Sequence, residues 1–237
     1  MTIPSQFTAR SPLYRWHEAT GATFEAQRDA ACVYGYQDPE YEVDRAKKMG
    51  LVDLSTLNRV GFKGPDSLRW IQHRGLVIPD QPNQSCLQGN GSLITRLSHE
   101  ELLILDNPAS KVPDLEQLQL REPGNHELSQ VYRLPRRDSH CWFWVLGIHA
   151  PTMFSKVCGI DLRLQKFLNG SIAQTSLARL NAIIIRNDAG LLPGFFVLSD
   201  LTSAEFLWTC LLDAMEEFDG APIGIEAVRQ LINEPRP

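Results

Sequence analysis

Gly50-Leu-Val-Asp-Leu-Ser-Thr-Leu-Asn-Arg-Val-Gly-Phe-Lys-Gly-Pro-Asp-Ser-Leu68 decides the reading of this chain. From Leu57 it gives a short strand, a Gly-Pro turn at Gly64-Pro65 and the start of a helix that continues to Gln72. A proline in a first helical turn loses no hydrogen bond, because the N–H there has no intrahelical partner. The same grammar returns in Cys141-Trp-Phe-Trp-Val-Leu-Gly-Ile-His-Ala-Pro-Thr-Met-Phe-Ser-Lys-Val157, with Gly147 to Ala150 as the bend and Pro151 in the first turn.

Strand-like sequence follows each copy. After the first, Ser92–Leu97 and Glu101–Leu105 form an expected hairpin through Ser98-His99. After the second, Ala178–Arg186 and Gly194–Ser199 are joined by Asn187-Asp-Ala-Gly, whose Asp188 and Gly190 are turn formers. The reading is an α+β fold of two pseudo-repeated βαββ-like halves sharing one sheet system. The first half spans 1–107, a Pro- and charge-rich linker 108–137, and the second half 138–237. Within the linker a short helix is expected over Asp114–Leu120. Elsewhere, Glu40–Met49 reads as a charged helix closed by Gly50. Thr202–Phe218 reads as a periodic helix with Thr202 or Ser203 as N-cap, Glu205 in its first turn and Gly220 ending it. Gly224–Ile232 reads as a shorter amphipathic helix.

Bulk properties remove several function classes. The 237 residues are 43% hydrophobic and 22% charged, an ordinary globular composition. A net charge of −5 argues against a non-specific nucleic-acid binder, which needs a basic face. No apolar run reaches the ~20 residues of a membrane span. Met1–Arg10 carries no apolar signal core. The five cysteines are scattered with no C-x-x-C pair, so neither a disulfide framework nor a zinc site is expected. A reduced, cytoplasmic protein without metal is the expectation.

These segments, in this order, resemble the glycine-cleavage aminomethyltransferase (T-protein) family, a folate-binding fold. Ser11-Pro-Leu-Tyr-Arg-Trp-His-Glu-Ala-Thr-Gly-Ala22 looks like the family's opening. The most specific block is Tyr41 to Gly64, with its glycine–apolar–apolar–Asp–apolar–Ser run followed by Gly-Pro-Asp. Phe218-Asp-Gly-Ala-Pro-Ile-Gly-Ile-Glu-Ala-Val-Arg-Gln-Leu231 matches the segment before the family's C-terminal barrel, which is expected to be missing here. The Cys141–Phe218 half also resembles the γ subunit of heterotetrameric sarcosine oxidase, a reduced version of the same fold; Ile172-Ala-Gln-Thr-Ser-Leu-Ala-Arg-Leu180 is its nearest echo.

Two departures matter. The family's key aspartate, in a Gly-Gly-apolar-apolar-Asp-Asp segment, orients tetrahydrofolate and the substrate amine. Cys86–Leu97 fills that region with no Asp or Glu between Asp80 and Glu100. The family glutamate that holds the folate ring follows a Gly-Phe step; here the run is Gly194-Phe195-Phe196-Val197, placing Phe196 where the acid stood. A developing ammonium then has no local anion, and a phenyl ring cannot replace a carboxylate's hydrogen bonds. A Lys-Gly-Cys-Tyr-x-Gly-Gln motif, found in an iron–sulfur-linked branch of the fold, is absent.

Candidate ligand-binding residues are Tyr14, His17, Tyr34, Tyr36, Asp53, Ser55 and Arg229. The resemblance carries the early aromatic segment and Arg229 toward the family's cavity, where Arg229 would take a carboxylate or phosphate. Each has a bland alternative. Asp53 and Ser55 would cap backbone N–H groups in a turn, and the aromatics would anchor the N-terminus. His73 and Arg74 read as helix-end caps, and His140 and His149 as structural. Trp142, Phe143 and Trp144 would face a core on one side and a partner on the other. No catalytic residue is assigned. The resemblance implies a catalytically degenerate subunit of one-carbon or methylated-amine metabolism with oxidase-type partner subunits or a small-molecule ligand. The alternative is a stand-alone demethylase or formaldehyde-releasing lyase acting on a small molecule, aromatic ones included, with tetrahydrofolate in question and homo-oligomers admitted.

Overall fold

The structure is a computed structural model that describes residues 2–27, 29–110, 115 and 130–233. In chain order it begins with β1 (Ala9–Arg10), α1 (Tyr14–Ala19), β2 (Thr23–Gln27), β3 (Ala30–Gly35), α2 (Pro39–Met49) and β4 (Gly50–Asp53). The first repeat follows as β5 (Arg59–Lys63), α3 (Ser67–Gln72), β6 (Gln84–Leu87), β7 (Leu93–Arg96), β8 (Glu101–Leu105) and β9 (Tyr132–Leu134). The second is β10 (His140–Leu146), α4 (Ala150–Val157), β11 (Ile172–Leu177), β12 (Leu180–Arg186) and β13 (Gly194–Asp200). It is followed by α5 (Ala204–Met215), β14 (Ala221–Pro222) and α6 (Ile225–Asn233). The class is α+β, with no closed barrel among the described residues.

The chain divides into two compact units. One comprises Met1–Thr56, His140–Asn169 and Ala173–Pro237; the other comprises Leu57–Ser139 and Gly170–Ile172. The expected single sheet system is in fact separate sheets. The second unit carries the order β6-β7-β8-β5-β9, and the first carries β11-β12-β13-β10-β4-β14 with a small β1-β3-β2 sheet. Laid side by side, the two larger orders are the same arrangement twice, so each repeat has one strand more than the sequence suggested. The extra strands are β6 and β11, short edges rich in polar residues that carry little hydrophobic signal.

The turns repeat too. Gly64 and Gly147 stand at φ +128° and +122°, a left-handed region open to glycine. Each donates its N–H at 2.9 Å to the residue before the fourth strand, Glu100 and Pro193 respectively. A Cβ on Gly64 would lie 2.1 Å from the Gln130 carbonyl, and one on Gly147 2.2 Å from that of Lys48. Both carbonyls belong to residues two before the neighbouring strand, β9 or β4.

Local chemistry accounts for the helices. Asp38 caps α2, accepting from the Glu40 N–H at 3.0 Å, with Pro39 at its start, Glu40 and Glu42 in the first turn and Lys47 and Lys48 in the last. Before α5, the expected caps Thr202 and Ser203 are not the capping groups. Asp200 accepts from the Thr202 N–H and hydroxyl, and a 3-10 turn over Leu201–Ser203 leads in. The left-handed residue after the helix is Asp219, at φ +56°, one position before Gly220. The strand expected from Ala178 starts instead at Leu180. Ala178 and Arg179, at φ +49° and +68°, form the tight turn of a β11–β12 hairpin. Apart from Leu115, the expected helix over Asp114–Leu120 lies outside the described residues.

Each unit has its own core. In the first, Phe143, Val145, Ile184, Phe195 and Val197 on one sheet face pack under Phe154, Leu207, Trp208 and Leu211 of α4 and α5. In the second, Phe62, Trp70, Ile71, Ile94, Leu102 and Ile104 do the same. Burying each such side chain contributes about 1.5–3 kcal/mol. Trp142 and Trp144, expected to offer an exposed partner face, are buried. Sheet alternation turns them away from the α4–α5 core, but they pack in T-shaped and tilted contact with Phe196, centroids 5.0 and 4.7 Å away.

Candidate functional site

Four side chains from distant parts of the first unit meet in one hydrogen-bonded line. Asp53 ends β4, where pairing with Phe143 of β10 turns it to the core face. Its Oδ1 accepts the Ser55 N–H at 2.9 Å, while Oδ2 accepts from the Ser11 hydroxyl and from His17 Nε2, the latter at 2.9 Å. With Nε2 donating to a carboxylate, His17 Nδ1 is the acceptor, and the Tyr36 hydroxyl donates to it at 2.6 Å. His17 and Asp53 are buried; Tyr36 is the member of the line that reaches toward solvent.

Helix α1 holds His17 in place. The Ser11 hydroxyl accepts the Leu13 N–H at 3.0 Å, setting the turn into the helix while it donates to Asp53. The imidazole stands edge-on to Trp16 and Trp208, centroids 5.4 and 5.3 Å away. Tyr36 is positioned by Glu42. This buried carboxylate accepts the N–H groups of Tyr36 and Gln37 on one oxygen and of Gly224 on the other, joining the end of β3 to the loop before α6. Sequence reading missed both Ser11 and Glu42. Ser11 opens the quoted N-terminal stretch, but its bond to Asp53 joins positions no local pattern relates; Glu42 looked like one more charge on a charged helix.

The electrostatics follow from burial and pairing. Burial alone would raise the Asp53 carboxyl. The hydrogen bond and charge of His17, with the bonds from Ser11 and Ser55, outweigh it and hold the group below its ordinary value. Burial, reinforced by the negative charges of Asp53 and Glu42, pushes the Tyr36 phenol well above its usual range, so it stays protonated. Burial likewise pushes the Cys32 thiol up to about 12, an inert group bonded to Gln27 and Thr56.

The other candidates lie elsewhere. Ser55 serves the turn: its N–H goes to Asp53 and its hydroxyl accepts the Trp142 N–H at 3.0 Å. Tyr14 belongs to a surface cluster, its ring under Arg10 at 4.9 Å and its hydroxyl accepting from Arg15. Tyr34 is half-buried in β3, its carbonyl close against Gly224. Arg229 is buried and already engaged by carboxylates, forked onto Glu25 and paired with Glu226 at 3.3 Å. His149 stacks on Phe218 at 5.1 Å. Among the described residues no cluster of three His, Cys, Asp or Glu side chains is arranged to hold a metal ion, and no helix is long and apolar enough to cross a membrane.

No protein-family model and no curated protein matches the sequence. Solved structures do match. The glycine cleavage system aminomethyltransferase T of Bartonella henselae superimposes with a TM-score of 0.70 at 19% identity, over 94% of this chain. The chain has the aminomethyltransferase fold. It spans 62% of the length of the Bartonella protein. A chain of the heterotetrameric sarcosine oxidase from Corynebacterium sp. U-96, in complex with pyrrole 2-carboxylate, matches with a TM-score of 0.60 at 21% identity, over 90% of this chain and 97% of that one.

Within this aminomethyltransferase fold, the side chains at the two departing positions do not fit a folate-holding role. Phe196 is buried and packed against Trp142 and Trp144, with no polar atom to offer a pteridine edge. In the Cys86–Leu97 hairpin, the Thr95 hydroxyl is spent on the Leu103 carbonyl at 2.8 Å, and Arg96 bonds the carbonyls of Pro79 and Asp80. No step through tetrahydrofolate follows from these residues.

Proposed function

We propose that this aminomethyltransferase-fold chain is a catalytically degenerate subunit of a complex in one-carbon or methylated-amine metabolism, working in the cytoplasm beside oxidase-type partner subunits. The observation that carries the reading is Phe196: an aromatic packed between two tryptophans occupies the position the resemblance gives to the folate-holding acid. The nearly end-to-end match to a chain of a heterotetrameric oxidase supports the subunit role. Five free cysteines suit a reducing compartment. The test is native mass spectrometry of the tagged chain recovered from its source cells, with methylated-amine oxidation assayed on the same fraction. A stoichiometric complex with that activity is expected. A lone 26.7 kDa species that turns over substrate by itself overturns the reading.

The Tyr36–His17–Asp53 line favours a second reading, a stand-alone enzyme releasing a one-carbon group from a small aromatic alcohol. It has the logic of a hydroxyl–imidazole–carboxylate triad. Tyr36 would take the hydroxyl proton of a hydroxymethyl substrate while passing its own to His17 Nδ1, and Asp53 would steady the imidazolium. The carbon–carbon bond then breaks, formaldehyde leaves, and the electron pair left on carbon regains the proton from the line. A formaldehyde assay over hydroxymethyl aromatics decides: release abolished about a hundredfold or more by Tyr36→Phe supports it, and a flat panel removes it.

A further inference from the structure

A cavity of about 310 Å³ opens on the sheet face opposite the α4–α5 core, lined by His140, Gln174, Thr175, Asn181, Ile183 and Leu198, with Ala182 below. Register explains its position. Leu198 stands opposite both Trp142 and Ile183, so β10, β13 and β12 place His140, Leu198 and Ile183 on one face, while Phe143, Val197 and Ile184 point into the core. Asp53, paired with Phe143, lies on the core side. The cavity is thus separate from the Tyr36–His17–Asp53 line.

Its chemistry defines the ligand. The floor is aliphatic. The rim carries two carboxamides, a hydroxyl and an imidazole, and among the described residues no Lys, Arg, Asp or Glu lines it. A phosphate or polycarboxylate would meet no countercharge, whereas a flat ring with an amide or phenol edge finds donors, acceptors and an apolar bed. One more donor belongs to the same sheet face. Trp142, directly opposite Leu198 and two residues from His140 on the same face, is fully buried, and its indole N–H has no acceptor among the described residues. Buried donors without partners are rare and mark places where an acceptor belongs.

We propose that this cavity is a binding site for a small, uncharged aromatic ring bearing an amide or phenol group, whichever reading of the chain's function holds. The probe is 4-hydroxybenzamide, with anionic 4-hydroxybenzoate as its near-isostere, titrated into the full chain while ¹H–¹⁵N spectra report the Asn181 and Gln174 side-chain amides and the Trp142 indole. Saturable shifts at these groups are expected with the amide, and binding about tenfold weaker or less with the benzoate. Ile183→Trp, at a half-exposed position, should fill the cavity and weaken binding at least about tenfold; Asn181→Ala, at an exposed position, provides a second variant should the first not fold. No saturable shift with millimolar amide, or wild-type binding in the folded variants, overturns the site. Equal binding of the benzoate overturns the uncharged-ligand class.

Discussion

His17 Nε2 lies 2.9 Å from Asp53 Oδ2, and the pair is closed off from water. A buried carboxylate is tolerable there because three donors converge on it, from Ser11, His17 and the Ser55 backbone. Its folded value is depressed below the unfolded value of about 3.9, so its stabilisation is fully present above that pH and is lost as pH falls through the folded value. Asp53→Leu leaves the donors unmet and should cost about 3–5 kcal/mol at neutral pH. Asp53→Asn should cost less, about 1–2 kcal/mol, because a tautomer flip at His17 lets Nε2 accept from the new amide and Nδ1 donate to Tyr36. Urea unfolding at stepped pH checks both: the gap between wild type and Asp53→Asn should narrow as the medium is acidified below the unfolded carboxylate value.

Glu42 makes a similar prediction by a different route. Its two oxygens satisfy the N–H groups of Tyr36, Gln37 and Gly224. Glu42→Ala strands three donors and should destabilise by about 3 kcal/mol or more, whereas Glu42→Gln keeps one acceptor oxygen and should lose roughly half as much. Because the Tyr36 backbone is held here, Glu42→Gln should also shift the His17 ring resonances, while a variant at exposed Glu40 should leave them in place.

What could be read from the sequence depended on how local the cause was. The charged run closed by Gly50 gave α2 to within one residue, though its Asp38 cap and Pro39 start went unread, and the glycine bend followed by a proline located both repeats. Asp53 and Ser55 stood out because both the block around them and the turn chemistry between them are contiguous. The line through Ser11, His17, Tyr36 and Asp53 was invisible as a unit: Ser11 and His17 share one stretch, Tyr36 and Asp53 lie in others, and only pairing of β4 with β10 and packing of α1 bring them together. The pairing of Arg229 with Glu25 could not be read because Glu25, 204 positions away, lies in a strand with no signal of its own. The cavity went unseen because amides and a threonine on an edge strand look like ordinary surface.

The β11–β12 hairpin hid for a related reason. Two-residue turns with both residues left-handed normally use Asn-Gly, and here Ala178 and Arg179 take that conformation. Each L-residue with a Cβ carries a strain of order 1 kcal/mol there. Ala178→Asn combined with Arg179→Gly should stabilise the protein by about 1 kcal/mol, read as a rise in the urea midpoint with unchanged slope. A fall would mean that the Ala178 or Arg179 side chain contributes more than its backbone costs.

The twin glycines supply the sharpest test of the repeat. In each copy the glycine gives its N–H to the residue before the fourth strand and lies against a carbonyl two residues ahead of the neighbouring strand. Neither role depends on the side chains around it, so the two sites should respond alike. Gly64→Ala and Gly147→Ala each force a Cβ into backbone, 2.1 Å from the Gln130 oxygen and 2.2 Å from the Lys48 oxygen. Strain at a positive φ adds about 1–3 kcal/mol to that clash, so each variant should lose at least about 3 kcal/mol. Gly159→Ala, where an added Cβ meets nothing within 4 Å, should stay within about 0.5 kcal/mol of wild type. Equal, large losses at Gly64 and Gly147 beside a silent Gly159 would show that both halves are built on the same backbone constraint; a large loss at one alone would show that the second turn has been relieved by local rearrangement.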